Sequence, residues 1–301
     1  MTTSNDLPLP GLDGGNPLAF LAALGTLHVS TNINPQARLR WECIGSRLSP
    51  VLSGLGCDAD EAVSALHSHL HEMSVEALEI NDKLPFAATE FRDFLLSVAR
   101  EKDCRSANFG CAFGSEVYVR ESDNTFDDTQ FRMVRSGDAA GNGLLAYAAK
   151  IRKLTTLDCL KRTLLYEWDY ADGPPGFRWD PVGDVPYAYG WSDPSKTAAS
   201  MMTGANSLAI EGLLMFPTIP GERKLQTTAF HRFGRDTYLT WPLWSAPVTC
   251  DVVRSLLTLP ELADAVPHRQ TLAARSIIEV YRCRRYASSQ YYSNFSPAES
   301  V

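Results

Sequence analysis

Arginines and aromatic residues alternate near the C-terminus, and this stretch of the sequence carries the most evident binding chemistry. Between positions 269 and 295 the only acidic residue is Glu279. Guanidinium groups contact phosphates and stack on bases, while aromatic rings offer bases a platform. We expect a nucleic-acid surface centred on Arg282, Arg284 and Arg285, with further contributions from Arg269, Arg275, Tyr281, Tyr286, Tyr291, Tyr292 and Phe295. The alternative is that these arginines pair with acidic residues of the N-terminal half.

A second mixed cluster lies at positions 231–236, between two segments whose residues alternate as in strands. It combines the cations Arg232 and Arg235 with His231 and the ring of Phe233. Such a mixture can hold a phosphate and stack on a base. We expect His231, Arg232 and Arg235 to join the same nucleic-acid surface, although an ordinary hairpin turn with exposed charges fits the sequence equally well.

A glycine-rich turn at positions 137–143 precedes a helical pattern with a basic side. Free amides at the start of a helix can bind an anion, and we expect Lys150, Arg152 and Lys153 to contact phosphate. The turn lacks the Lys-Ser or Lys-Thr of a P-loop and the spacing of a dinucleotide fingerprint, so nucleotide hydrolysis is not supported. A plain flexible turn is the alternative.

His67 and His71 are four residues apart in a helical segment, and residues at this spacing share a helix face. Together with Glu72 or Glu76 they could hold one metal ion, but the zincin glutamate and an obvious third ligand are missing. We therefore expect a solvated helix face and no metal. A metal-dependent hydrolase built on His67 and His71 is the alternative.

Catalytic motifs are otherwise lacking. The seven cysteines are scattered, without the two-residue separation of zinc or redox motifs, which favours reduced thiols. The sequence contains no Gly-x-Ser-x-Gly elbow and no Cys-His arrangement of known spacing. These observations predict a protein that works by binding, without catalysis and without a cofactor.

The charge of the chain is uneven along its 301 residues. Residues 1–150 contain 12 basic and 20 acidic side chains, whereas residues 151–301 contain 16 and 15. A polyanion should therefore meet the second half, and an acidic scaffold that binds other proteins is a further alternative. No apolar stretch reaches the length of a membrane helix and no secretion signal is evident, so we expect a cytoplasmic protein that does not contact membranes.

Helical patterns dominate the first half of the sequence. Asn16 and Pro17 predict the start of a buried helix over 17–29, and further helices are expected over 58–73, 89–100 and a long stretch from 144 to 164. Alternation predicts a strand over 37–44 and a hairpin formed by residues 116–120 and 131–134.

The second half mixes both types of element. The pattern predicts a helix over 205–216, strands at 225–231, 237–241 and 276–283, and a helix capped by Thr249. An aromatic and proline-rich connection over 168–194 separates the halves. We therefore predict an α+β fold with a helix-rich N-terminal lobe, residues 1–165, and a mixed C-terminal lobe, residues 166–301.

Three short segments carry a family resemblance: residues 12–25 (LDGGNPLAFLAALG), residues 204–213 (GANSLAIEGL) and residues 240–244 (TWPLW). The first resembles the opening of proteins encoded in type I-G (formerly I-U) CRISPR loci, which begin with a similar turn and small-residue helix. The other two are similar to that family in order and spacing. Most of residues 45–200 lie outside the resemblance.

The resemblance implies a subunit of an RNA-guided, Cascade-like surveillance complex in antiviral defence, similar to its large subunit. Such a protein would contact guide RNA and target DNA and bind other effector-complex subunits. In that family nuclease activity resides in a separate protein, which agrees with the missing catalytic motifs. The expectation is thus a non-catalytic subunit whose second lobe contacts nucleic acid.

Overall fold

The computed structural model describes residues 6–133, 143–183, 201–222, 224–287 and 293–301. Its helices are α1 (Pro17–Ile33), α2 (Ala59–Glu72), α3 (Glu76–Glu79), α4 (Ala88–Val98), α5 (Arg105–Phe113), α6 (Leu144–Leu154), α7 (Leu157–Leu165), α8 (Thr203–Gly212), α9 (Cys250–Leu257) and α10 (Arg269–Ala273). Within these ranges, no helix has both the length and the apolar character needed to cross a bilayer.

The strands are β1 (Leu7–Pro8), β2 (Arg38–Ile44), β3 (Arg47–Ser53), β4 (Gly114–Arg120), β5 (Thr125–Asp128), β6 (Thr218–Pro220), β7 (Leu225–Thr227), β8 (Phe230–Phe233), β9 (Asp236–Trp244), β10 (Ile277–Ala287), β11 (Ser293–Phe295) and β12 (Glu299–Ser300). They form antiparallel sheets in the orders β1-β3-β2, β11-β10-β9-β8, β4-β5 and β6-β7, with β12 paired to β10. Helices beside small antiparallel sheets confirm the predicted α+β fold.

Helix α1 begins where the sequence predicts. The Asn16 side chain accepts hydrogen bonds from the amides of Leu18 (2.9 Å) and Ala19 (3.2 Å), and Pro17 occupies a position where its missing N–H is harmless. Thirteen of the 17 residues of α1 are buried. The helix continues beyond the predicted end at Val29, to Ile33, and forms the centre of the core.

Helices α1 and α8 make the closest packing in the described structure. A Cβ atom at Gly25 would overlap the carbonyl oxygen of Leu208, and one at Gly212 would overlap that of Leu21. The two backbones therefore touch, which only glycine at these positions allows. This contact joins residues on either side of the predicted lobe boundary at 165/166, and the division into two lobes stays a prediction.

The long helical pattern over 144–164 is divided in the structure. Helix α6 ends at Leu154, where the Thr155 hydroxyl donates to the carbonyl of Ile151 (2.8 Å). Helix α7 then starts anew, because the Thr156 hydroxyl accepts from the Cys159 amide (3.2 Å) and caps it. Two adjacent threonines thus interrupt an otherwise continuous apolar periodicity.

Candidate nucleic-acid interface

One face of the sheet β8-β9-β10 is covered by the core, and the other face is open near the β8-β9 hairpin. Arg284 lies opposite Tyr238 on β9, and Tyr238 lies opposite His231 on β8. Directly paired residues point to the same side of a sheet, as do residues two apart on one strand. The outer face therefore carries His231, Phe233, Tyr238, Arg284 and Tyr286, and we use "outer face" for this set.

The opposite face of the same sheet is the core side. Leu239, Trp241, Cys283 and Phe295 are all buried there. The Trp241 ring stacks on Phe20 of α1 with centroids 5.6 Å apart. Packing on this side fixes the strands, so the outer face stands on a rigid support.

Aromatic rings on the outer face are only half-buried. Phe233 and Tyr238 contact each other with centroids 5.5 Å apart and planes at 61°. The guanidinium carbon of Arg284 lies 5.8 Å from the centroid of the Tyr286 ring. Rings with part of their area open to solvent can stack on a base, which is a sequence-tolerant contact.

Cations surround these rings. Arg284 is exposed, and its Nη1 lies 3.7 Å from Asp236 Oδ2, with both side chains about half accessible. An exposed pair at this distance contributes little, so a phosphate can compete for the arginine. Arg235 is exposed at the turn of the β8-β9 hairpin, which uses Gly234 with φ of +63°. Arg232 is exposed too, but it alternates with His231 and Phe233 along β8 and therefore lies on the opposite face, contrary to the sequence-based expectation.

Arg282 also belongs to this side of the sheet, but its guanidinium is buried. It donates to the Thr240 hydroxyl (2.9 Å) and to the carbonyls of Ala265 (2.8 Å), Asp264 (2.7 Å) and Leu262 (3.2 Å). It also lies 4.3 Å from the centroid of the Phe233 ring. Burial lowers the pKa of Arg282. Its donors therefore hold the segment 262–265 against the sheet and do not face solvent.

Arg285 points to the other side of β10. Its Nε donates to the carbonyl of Gln130 (2.9 Å) and its Nη2 to that of Arg132 (3.0 Å). The side chain is partly buried. Arg285 thus connects the sheet with the segment before residue 133, and of the three expected central arginines only Arg284 lies open on the outer face.

His231 lies partly buried on the outer face. Its Nε2 is shielded from solvent and has no hydrogen-bond partner within the described ranges. Burial and the nearby charge of Arg282 lower the pKa of His231, which keeps the ring neutral near pH 7. We therefore assign His231 a packing and stacking role and not that of a phosphate-binding cation.

The basic side of α6 divides between surface and interior. Lys150 and Lys153 are exposed, and Lys153 Nζ lies 3.3 Å from Glu79. Arg152 is buried, where it donates to the carbonyl of Leu70 and to the carboxylate of Glu211. Helix α6 packs on α3 and α8. Of the expected phosphate contacts on α6, only the two lysines are open to solvent.

Glu211 is the centre of a buried charge cluster. Its carboxylate accepts from Arg105 Nη2 (2.6 Å) and Nε (3.1 Å) and from Arg152, and His28 Nδ1 lies 3.4 Å away. Burial opposes ionisation, but the nearby His28 ring and the charges of both arginines outweigh it and hold the pKa of Glu211 below its usual range. The cluster ties α1, α5, α6 and α8 together.

The rings of His67 and His71 are neighbours, with centroids 4.5 Å apart. His71 Nε2 lies 2.8 Å from the carbonyl oxygen of Thr155, so this atom already has a partner inside the protein. Burial and proximity to His71 lower the pKa of His67. In the part of the chain that the structure describes, no three His, Cys, Asp or Glu side chains are grouped as a metal site.

Tyr238 is a functional candidate that the sequence reasoning missed. It belongs to a predicted strand, and only the pairing of that strand with β8 and β10 brings the ring beside Phe233 and Arg284. Alternation along 237–241 indicates which residues share its face, but not which strands lie next to it. The glycine-rich residues 137–142 and the rings of Tyr291 and Tyr292 lie outside the described residues.

Sequence comparisons leave the resemblance to type I-G CRISPR proteins as a prediction. Its best-defined segments have structural roles here, since residues 12–25 cap and form α1 and residues 204–213 form the α8 surface that α1 contacts. Both belong to the core and neither lies on the outer face. No protein-family model matches the chain, and no curated protein is significantly similar to it.

Proposed function

We propose that this chain is a non-catalytic nucleic-acid-binding protein and that a single strand lies across the outer face. The observation that carries the proposal is the row Arg284, Tyr238 and His231 across three strands, with Phe233 and Tyr286 beside it. Rings and a guanidinium on an open sheet face are the elements from which single-strand platforms are built.

A single strand fits this face better than a duplex. Half-exposed rings stack only on bases that are themselves unstacked, and each base contributes roughly 1–3 kcal/mol. The exposed cations beside the outer face are Arg284 and, at the hairpin turn, Arg235. If these two neutralise phosphates, the logarithm of the affinity should fall with the logarithm of salt concentration with a slope of about −1.4.

The net charge of −7 limits where nucleic acid can bind. Most of the negative charge belongs to residues 1–150, whereas the outer face belongs to the balanced second half. Binding by the isolated chain is therefore weak and local. Following the resemblance of residues 12–25 and 204–213, we propose that the strand is the guide RNA or target DNA of a Cascade-like surveillance complex, in which neighbouring subunits would supply the remaining contacts.

The proposal is tested by fluorescence anisotropy with labelled 15-nucleotide single strands of RNA and DNA. Tyr238→Ala and Arg284→Ala should each weaken binding about tenfold, which corresponds to the loss of one stacking or one phosphate contact. Tyr166→Ala and Arg92→Ala are matched controls, because both side chains are exposed on other elements. Equal affinities for all four variants and the wild type would overturn the proposal.

A further inference from the structure

A cleft separate from the outer face opens beside the start of α1. Its volume is about 620 Å³, within the range of small-molecule pockets. The walls come from the loop before α1, the β2-β3 turn, the turn at 181–183 and the chain end, and include Asp13, Gly15, Arg47, Pro181, Tyr281 and Pro297.

The floor of this cleft is fixed by the core. Trp241 Nε1 donates to the carbonyl of Gly14 (2.9 Å), and the Gly14 amide donates to the carbonyl of Leu48 (2.8 Å). A Cβ atom at Gly14 would collide with Leu243, so the loop can approach the core only with glycine there. The shape is therefore preformed, and a ligand would not have to order it.

The carboxylate of Asp13 and the guanidinium of Arg47 lie next to each other in the cleft, and both keep atoms that can form further hydrogen bonds. Asp13 Oδ1 accepts from the Gly15 amide (2.9 Å), but Oδ2 lies 4.0 Å from Arg47 Nε, which is too far for a hydrogen bond. Arg47 Nη2 contacts Glu167 (3.1 Å), and neither its Nε nor its Nη1 is hydrogen-bonded to a described residue. An acceptor and a donor thus lie next to each other.

A flat wall adjoins these charges. The Tyr281 ring lies against Gly15, since a Cβ atom added there would be 3.4 Å from the ring. Tyr281 is partly buried, which together with Glu279 and Asp13 raises the pKa of its phenol and keeps it protonated. Pro181 and Pro297 add further apolar surface. A planar ring suits such walls better than a flexible chain.

We propose that this cleft binds a guanine base. The Watson–Crick edge of guanine presents two neighbouring N–H donors and one carbonyl acceptor, which match a carboxylate beside a guanidinium. Asp13 would accept from the donors, Arg47 would donate to the carbonyl oxygen, and Tyr281 would lie along the ring. Adenine offers a single amino donor beside an acceptor nitrogen, so it leaves the carboxylate poorly matched.

The guanine base can belong to a free nucleotide or to one nucleotide of a single strand. Calorimetric titration distinguishes these two sources. The probes are GMP, IMP, AMP and a short single strand with one guanosine, beside the same strand with adenosine. The wild type should bind GMP or the guanosine strand at least about tenfold more tightly than the adenine counterpart, with IMP weaker than GMP. Binding of the strand alone would identify the strand as the source.

Asp13→Asn tests the assignment within the cleft. The variant keeps an oxygen for the Gly15 amide but loses the charge, so guanine binding should fall at least about tenfold. Glu101→Gln, at an exposed carboxylate elsewhere, should change nothing. Tyr238→Ala should leave GMP binding intact, because the inference does not rest on the outer face. The inference would be overturned if GMP and AMP bound equally well or if Asp13→Asn bound guanine as tightly as the wild type. It would also be overturned if the protein bound neither GMP nor the guanosine strand.

Discussion

Replacing Glu211 by Gln should destabilise the protein strongly. The side chain is fully buried and is the acceptor for three N–H donors, two from Arg105 and one from Arg152. Glutamine keeps one acceptor oxygen and turns an amide donor towards the guanidinium groups. Removing one partner of a buried ion pair costs about 3–5 kcal/mol, because the remaining charge is left uncompensated.

Urea unfolding followed by circular dichroism measures this loss. With an m-value of about 3 kcal/mol per molar urea, the midpoint should fall by roughly 1 to 1.7 M. Glu167→Gln is the matched control, since it is the same chemical change at an exposed carboxylate that also pairs with an arginine. Its effect should stay below about 1 kcal/mol.

The cluster of two arginines around one carboxylate predicts which substitution lowers the stability more. Two guanidinium groups share one carboxylate, so Arg105→Met leaves Glu211 and Arg152 as a balanced pair. This variant should cost less than Glu211→Gln, although it also loses a hydrogen bond to the carbonyl of Ser74. A Glu211→Gln midpoint equal to that of the Glu167→Gln control, or a lower midpoint for Arg105→Met than for Glu211→Gln, would contradict a buried carboxylate that balances two arginines.

The depressed pKa of Glu211 also predicts a pH dependence. A carboxylate of this kind contributes stability above its unfolded pKa of about 4.3, and the contribution is lost as pH falls towards the folded pKa. The difference in urea midpoint between wild type and Glu211→Gln should therefore be similar at pH 7 and pH 5 and smaller at pH 3.5, which is below the unfolded pKa. A constant difference across the range would contradict the assignment of a buried ionised carboxylate.

Two further predictions follow from packing and burial. Gly25→Ala should lower the thermal unfolding midpoint in scanning calorimetry, because the added methyl overlaps the Leu208 carbonyl and overpacking costs about 1–3 kcal/mol; an unchanged midpoint would contradict the α1-α8 contact. Burial raises the pKa of Cys250 to about 11, whereas Cys43 is exposed. At pH 8 a thiol reagent should label Cys43 in native protein and Cys250 only after unfolding, and equal labelling would contradict the burial.

Helices and strands can be predicted from the sequence where a cap residue or a regular alternation of buried and exposed residues marks them. Asn16 and Pro17 specify the start of α1 through a cap, and alternation specifies β2 and the first part of β10. Strand β3 was not predicted, because Pro50 and the polar residues around it hide the alternation. The predicted hairpin partner near 131–134 was misplaced, since Asn124 at φ of +54° turns the chain directly into β5.

The sequence predicts which residue types the candidate interface contains, but not how these residues are arranged in space. Composition indicates an arginine and aromatic-rich C-terminus, but it cannot say that Arg282 and Arg152 serve carbonyls and a carboxylate inside the protein. Those partners come from distant parts of the chain. Alternation along β10 places Arg284 and Arg285 on opposite faces, whereas the pairing with Tyr238 depends on long-range strand order.

Binding of a single strand to the outer face is tested most directly by photochemical crosslinking with a strand that carries 4-thiouridine. After irradiation and digestion, mass spectrometry would locate the attached peptides. Attachment is expected within residues 230–241 and 277–287, with Tyr238 and Tyr286 as the main sites, and it should be lost in Arg284→Ala at raised salt. Attachment confined to α6 or to the N-terminal half would contradict binding to the outer face.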